Sequence, residues 1–240
     1  MSLVLASLLL LTAPADTITP KSANSVRFTG DAGYVATSGN SSVQTLNIGY
    51  KVAAKLGSWA FNQQFAVVHG KNRGATVTSL WRGAIRADYS LTSAVTAYGS
   101  LNYERNIFAG LDSRVSTVGG VSAVVAEDKR NKLALEAGVS LTAQRGIGPR
   151  GRDLDFLGGR AATSYVHRVG PKASFTQLVE ILPNFRERED MRVNSESTLL
   201  APITRQIGLK LSFVVRYDGF PEMGFMTTDR LFTSGVQVTL

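Results

Sequence analysis

Residues 206–217, QIGLKLSFVVRY, set Ile207, Leu209, Leu211, Phe213, Val215 and Tyr217 on alternate positions, with Gln206, Gly208, Lys210, Ser212, Val214 and Arg216 between them. A two-residue period is the geometry of a β-strand, whose successive side chains point to opposite faces. The same alternation sets Trp59, Phe61, Phe65 and Val67 against Ala60, Asn62, Gln64 and Ala66. It also sets Leu133, Leu135, Ala137, Val139 and Leu141 against Lys132, Glu136, Gly138, Ser140 and Thr142. Beyond residue 25 no long window carries a helical period, so the chain is expected to be all-β.

The breaks between alternating runs predict twelve strands, at 26–38, 41–55, 59–69, 75–91, 94–107, 113–126, 131–145, 156–169, 172–184, 190–201, 206–217 and 227–240. The breaks at 39–40, 70–74, 108–112, 146–155, 185–189 and 218–226 include the long ones, whereas those at 56–58, 92–93, 127–130, 170–171 and 202–205 stay short. One end of the molecule therefore carries tight turns and the other carries loops. Long strands with one apolar face, an even count and this asymmetry are what a transmembrane β-barrel requires. A soluble sandwich also alternates, but its strands are nearer about five or six residues. In lipid every backbone donor must be paired, and a closed barrel is the β solution. The expected fold is a single antiparallel up-and-down transmembrane β-barrel over 26–240, in the bacterial outer membrane, with short periplasmic turns and longer extracellular loops.

The first fifteen residues, MSLVLASLLLLTAPA, form an apolar run closed by Ala13-Pro14-Ala15, the small-x-small form of a secretory cleavage site. No Lys or Arg precedes the run, a departure from the usual positive start. Residues 1–15 are expected to be a signal peptide and 16–25 a periplasmic N-terminal segment. The chain has no cysteine and two histidines, which removes disulfides, thiolate chemistry and the common zinc sites. Its formal net charge of +8 favours polyanions such as nucleic acid, anionic lipid or lipopolysaccharide. The Lys and Arg are spread singly without a recognition-module signature, so nucleic acid is not the expected partner. Outer-membrane lipid and lipopolysaccharide are, together with the barrel-insertion machinery and a partner protein at the loops.

GDAGYVATSGNSS at 30–42, YERNIFAG at 103–110, LEAGVS at 135–140, FRERED at 185–190 with NSESTLLAPI at 194–203, and LKLSFVVRYDGFP at 209–221 span nearly the whole chain beyond the N-terminal segment. Together they resemble the uncharacterised YdiY-like family of salt-induced outer-membrane proteins. The resemblance implies an outer-membrane barrel and carries no activity or catalytic residue with it. Leu240 ends the last apolar face with Phe232, Val236 and Val238, where outer-membrane barrels more often end in an aromatic.

Catalysis would need a nucleophile beside a base. His69 and His167 fall on the outward parity, and neither has a Ser two residues away, so no catalytic residue, metal or cofactor is expected and the protein is not expected to be an enzyme. In FRERED, Glu187, Glu189 and Asp190 interleave with Arg186 and Arg188, an alternation that suits a solvated rim. A cation- or lipopolysaccharide-contacting loop is the sharper alternative. RGIGPRGRD at 145–153 lacks the context of a phosphate-binding loop. Arg105, Arg150, Arg152, Arg186 and Arg188 are the expected contacts to lipopolysaccharide at the loop-bearing end.

The inward parity collects Arg82, Arg86, Asp88, Glu104, Lys132, Glu136, Arg160, Arg192, Glu196, Lys210 and Arg216. Charges without water or a partner are prohibitively costly in a barrel interior, so these are expected to be wet or paired. Twelve strands lie between small filled barrels and large aqueous ones. Two readings of the lumen follow: a narrow pore for ions or small solutes with mild anion preference, or a lumen closed by ion pairs in a structural envelope-stress or adhesive barrel; the alternative function is a surface binding or assembly module whose extracellular loops contact a partner protein or lipopolysaccharide. Glu104 is expected to pair with Arg86 on the neighbouring strand or with an Arg across the lumen, while Tyr103 and Arg105 face lipid.

Overall fold

The computed structural model describes residues 24–37, 43–72, 75–147, 151–170, 173–222 and 225–239. The expected signal peptide, residues 16–23, Arg150 and Leu240 lie outside the described residues. Twelve strands run as β1 (Asn24–Thr37), β2 (Val43–Leu56), β3 (Trp59–Asn72), β4 (Ala75–Ser90), β5 (Val95–Asn106), β6 (Leu111–Glu127), β7 (Asn131–Gly146), β8 (Leu154–Val169), β9 (Ala173–Pro183), β10 (Met191–Pro202), β11 (Ile207–Asp218) and β12 (Thr228–Thr239). Each pairs antiparallel with its sequence neighbours, and β12 returns to β1 to close the barrel. The outer ladders are long: β1 and β2 register from Asn24↔Leu56 to Thr37↔Val43. The β1–β12 seam is short, with Thr29–Ala32 set against Val236–Thr239.

The alternation places the apolar parity outside. Trp59, Phe61, Ile85, Leu101, Leu135, Val139, Leu141, Leu157, Leu209 and Phe213 are all exposed on the outer wall. In a soluble protein such a surface would be an aggregation hazard, whereas on a closed barrel it is the face that lipid covers. Aromatic side chains pack against one another along this wall, Trp59 on Tyr89 at 5.0 Å and Phe28 on Tyr50 at 6.2 Å between centroids. No helix among the described residues is long and apolar enough to cross a membrane. Strands do the crossing.

The turn end is held by side chains as well as by backbone. Thr92 Oγ1 accepts from Val95 N at 2.9 Å, Asp128 Oδ1 from Asn131 N at 2.8 Å, and Thr204 Oγ1 from Ile207 N at 2.9 Å. Short Ser, Thr and Asp side chains bonding the backbone three residues on is what makes them turn formers.

At the loop-bearing end β3 extends to Asn72 and β4 begins at Ala75, so the expected 70–74 break shrinks to 73–74; a register shift at Gly70/Lys71 absorbs the extra residue. Further shifts at Glu104/Asn106 and Leu111/Ser113 flank a short 3₁₀ turn at Ile107–Ala109. Gly110, at φ 71°, completes that turn in a conformation that L side chains rarely adopt.

Candidate functional site

The inward parity builds two layers of charge. The lower one, towards the short turns, centres on Glu136 of β7. Arg86 of β4 donates to both Glu136 carboxylate oxygens at 3.1 and 2.9 Å, and its Nε donates to Asp88 at 2.9 Å. Arg160 of β8 donates to Glu136 as well, to Glu180 of β9 at 2.6 Å and to the Tyr98 hydroxyl at 2.8 Å. Asn194 of β10 donates to the other Glu180 oxygen at 3.0 Å. The Arg86 guanidinium lies 3.9 Å over the Tyr98 ring, a cation–π contact inside a nearly water-free cluster. The Glu136 and Arg160 side chains keep only 4% and 7% of their exposure.

Two inward glycines make this layer possible. A Cβ on Gly120 would stand 2.9 Å from the Tyr98 hydroxyl, and one on Gly138 would stand 2.6 Å from the Gly119 carbonyl. With no side chain at either position, Tyr98 lies flat across β6 and β7 and reaches Arg160.

The upper layer, nearer the loops, has the opposite bookkeeping of partners. Glu104 of β5 accepts from Arg82 at 2.6 Å and from Arg216 of β11, across the lumen, at 3.1 Å. Arg114 of β6 stands 3.9 Å from Glu104 and 3.8 Å from Asp218, and bonds Gln144 through Nε at 2.9 Å. Arg192 of β10 has its nearest ion-pair partner, Asp190, at 3.9 Å. The expected Glu104–Arg86 pair does not form: the antiparallel register sets Glu104 opposite Arg82, while Arg86 sits opposite Ser100. The expectation of an Arg across the lumen is met by Arg216. Arg114 was not among the expected residues; inward Ser116 and Val118 on the same strand carry its parity.

Elsewhere on the interior, Lys210 faces Asp31 at 3.9 Å and Glu196 accepts from Thr198 at 3.0 Å. Lys132 lies at the turn-end rim with Glu127 at 3.8 Å. His167 shares Asn131 with Tyr165 at the same rim, at 2.8 and 2.7 Å, and His69 is exposed on the outer wall. Neither histidine enters the lumen. Among the described residues no three ligating side chains gather as a metal site.

The loop residues behave differently from one another. Arg105 pairs with Asp112 at 3.4 Å on the outer surface, and Arg188 is exposed. Arg186 donates to the Asp155 carbonyl at 3.4 Å. Asp190 is buried and accepts from Asn184 at 2.9 Å, so it anchors its loop and is not a solvated carboxylate. Arg152 turns away from the outer leaflet: its guanidinium lies 3.7 Å over the Phe220 ring and donates to the Phe220 and Pro221 carbonyls at 2.7 and 2.8 Å. It also stands 3.6 Å from Glu222, which is buried beside Gln144. A Cβ on Gly110 would meet Glu222 and Phe225 at 2.7 and 2.8 Å. Residues 219–222 thus leave β11 and cross the mouth, and Glu222 and Phe225 are received by the β5–β6 turn, with Arg152 of the β7–β8 loop on Phe220 and Glu222. Between this loop and the lower layer lies a cavity of about 200 Å³, lined by the upper-layer arginines, Glu104, Asp218, Asp229 and the underside of the loop.

A family described as a protein of unknown function, DUF481, matches residues 30–240. The chain belongs to the DUF481 family. This is the YdiY-like family that its motifs resemble. Among solved structures the DUF481 barrel is similar to a NanC porin, with a TM-score of 0.50, 10% identity, and coverage of 89% of this chain and 97% of that one. It is likewise similar to the translocator domain of the autotransporter NalP from Neisseria meningitidis, with a TM-score of 0.51, 12% identity, and coverage of 93% and 90%. Identities this low establish a shared fold, the porin-like outer-membrane barrel. No curated protein matches the chain.

Proposed function

We propose that this DUF481 barrel is a narrow channel for ions or small solutes in the bacterial outer membrane, and not an enzyme. The observation that carries the reading is a polar cavity inside a closed barrel with an apolar outer wall. Seven Lys or Arg and five Asp or Glu line that cavity, so its field favours anions mildly. The passage works by geometry and electrostatics, with the upper-layer arginines drawing anions in and the Glu136 cluster narrowing the path below. Its surroundings are lipid and, on the loop side, lipopolysaccharide, within reach of the exposed Arg105 and Arg188. The barrel-insertion machinery would engage β12, whose outward Phe232, Val236 and Val238 form an apolar stripe.

Planar-bilayer recording of the refolded protein tests the reading. Discrete conductance with a reversal potential displaced towards the anion is the expected result, and no conductance above background across several salts and voltages would overturn it. Met226 and Phe185, 81% and 59% exposed at the loop end, favour a second reading in which the loops bind a partner protein or lipopolysaccharide. A silent barrel that loses lipopolysaccharide binding on Phe185→Ser and Met226→Ser would select it.

A further inference from the structure

We infer that the upper lumen is a binding site for a small oxyanion, a solute bearing carboxylate or phosphate groups, held by Arg82, Arg192 and Arg216. The route by which such a solute arrives rests on the channel reading; the binding itself does not. Arg82 has no hydrogen-bond partner for Nε or Nη1, Arg192 none for Nε, and Arg216 none for Nε or Nη2. Arg82 and Arg192 are also more than nine-tenths buried, at 5% and 7% exposure. Guanidinium groups stay charged and cannot shed the unmet donors by losing a proton. A buried donor without an acceptor is costly, and a charged one more so.

The carboxylates already present do not relieve this. Glu104 is shared between Arg82 and Arg216. Asp190 stands 3.9 Å from Arg192 and Asp218 stands 3.8 Å from Arg114, distances that lend charge without a hydrogen bond. The lower layer shows what satisfaction looks like on the same wall: no Arg86 or Arg160 nitrogen is orphaned there.

Three guanidinium groups from β4, β10 and β11 line one cavity; Arg216 keeps Nε and Nη2 free as a fork for two oxygens of an oxyanion, and Arg82 and Arg192 add single N–H donors. A volume of about 200 Å³ suits a solute of a few heavy atoms, given about 30 Å³ of liquid per water. Phe220, Pro221 and Phe225 close the cavity above, and shielding from water strengthens the attraction.

The test is calorimetric titration of the refolded full chain in detergent with inorganic phosphate and, separately, with succinate, at ionic strength fixed by sodium chloride. Saturable binding of either probe is expected, weakened at least tenfold in Arg82→Gln and in Arg216→Gln and unchanged in Arg205→Gln, on the turn at the opposite end. Glu104→Gln should bind several-fold tighter, because the competing carboxylate is gone; damage to the fold alone would not tighten anything. Phosphate over succinate, or the reverse, names the ligand's chemistry. The inference falls if neither probe binds a barrel whose folding is confirmed by circular dichroism, if both arginine variants bind like the parent, or if Glu104→Gln weakens binding as they do. Binding without conductance on the same preparation would overturn the channel reading and keep the site.

Discussion

The two charged layers use the same residue types and differ in arithmetic. In the lower layer two arginines meet three carboxylates, Asp88, Glu136 and Glu180, and a tyrosine, and each ionic group has a bonded partner. In the upper layer three arginines, Arg82, Arg114 and Arg216, share Glu104, Arg192 stands beside Asp190, and five guanidinium nitrogens of Arg82, Arg192 and Arg216 are left without a bonded partner. The lower network, whose one orphaned atom is Asp88 Oδ2, ties strands together, because removing a member takes a partner from the others. An unsaturated one leaves capacity for something else. The difference teaches that charge inside a barrel is not one property: below it is paired across the wall, above it leaves donors unmet.

Several changes would break or sharpen this contrast. The largest effect is expected for Glu136→Gln, which takes the shared carboxylate from Arg86 and Arg160 and leaves them only Asp88 and Glu180 as charged partners; urea unfolding in lipid vesicles should show a loss of about 3–5 kcal/mol. Glu104→Gln, at a side chain a fifth exposed to the cavity, should cost less than Glu136→Gln while moving the reversal potential further towards anions. Equal losses for the two would dissolve the distinction. Next comes Gly138→Ala, which crowds the Gly119 carbonyl beneath Tyr98 and should cost about 1–3 kcal/mol by the same assay without changing ion preference. Glu222→Gln, in the loop that crosses the mouth, should raise single-channel conductance at nearly unchanged stability; conductance equal to the parent's would mean that the loop does not limit entry.

The smallest effect lies outside the membrane. Asn131 and the backbone of Arg130 and Asn131 donate to the Asp128 carboxylate and hold it below the usual carboxylate range. A depressed carboxylate contributes its stabilisation above the unfolded-state value, about 3.9 for Asp, and loses it as pH falls through the folded-state value. Hydrogen exchange at residues 128–131 should therefore quicken as pH drops into that acid range, and the step should vanish in Asp128→Asn. The lumen layers should show no matching change at that turn.

Strands and their facing were legible because period two is a strong signal and because an apolar outer wall against a charged interior sharpens it. The expected boundaries fall within a few residues of the observed ones, and the inward residues from Arg82 to Arg216 lie on the parity that the alternation assigns. What one strand's period cannot encode is which arginine meets which carboxylate across a curved wall. Arg82 and Arg86 share a face, and only the register of β4 against β5 decides that Glu104 meets the first. The inward-turned Arg152 was hidden for a similar reason: a basic, glycine-rich loop looks solvated until Phe220 and Glu222 arrive from β11–β12. Gly110, Gly120 and Gly138 were the available clue, since a glycine on an inward or turn position marks where another part of the chain comes close.

The short β1–β12 seam carries a consequence for how the barrel assembles. Every other ladder joins strands that are neighbours in the chain, so each can zip from its own hairpin at small entropic cost. The seam must bring together segments separated by almost the entire sequence, and among the described residues it pairs only Thr29–Ala32 against Val236–Thr239. Of all the joints in the wall it closes the longest loop, and so carries the largest closure entropy. That one joint is therefore all that divides the charged interior from the greasy wall along the line where the two ends of the sheet meet.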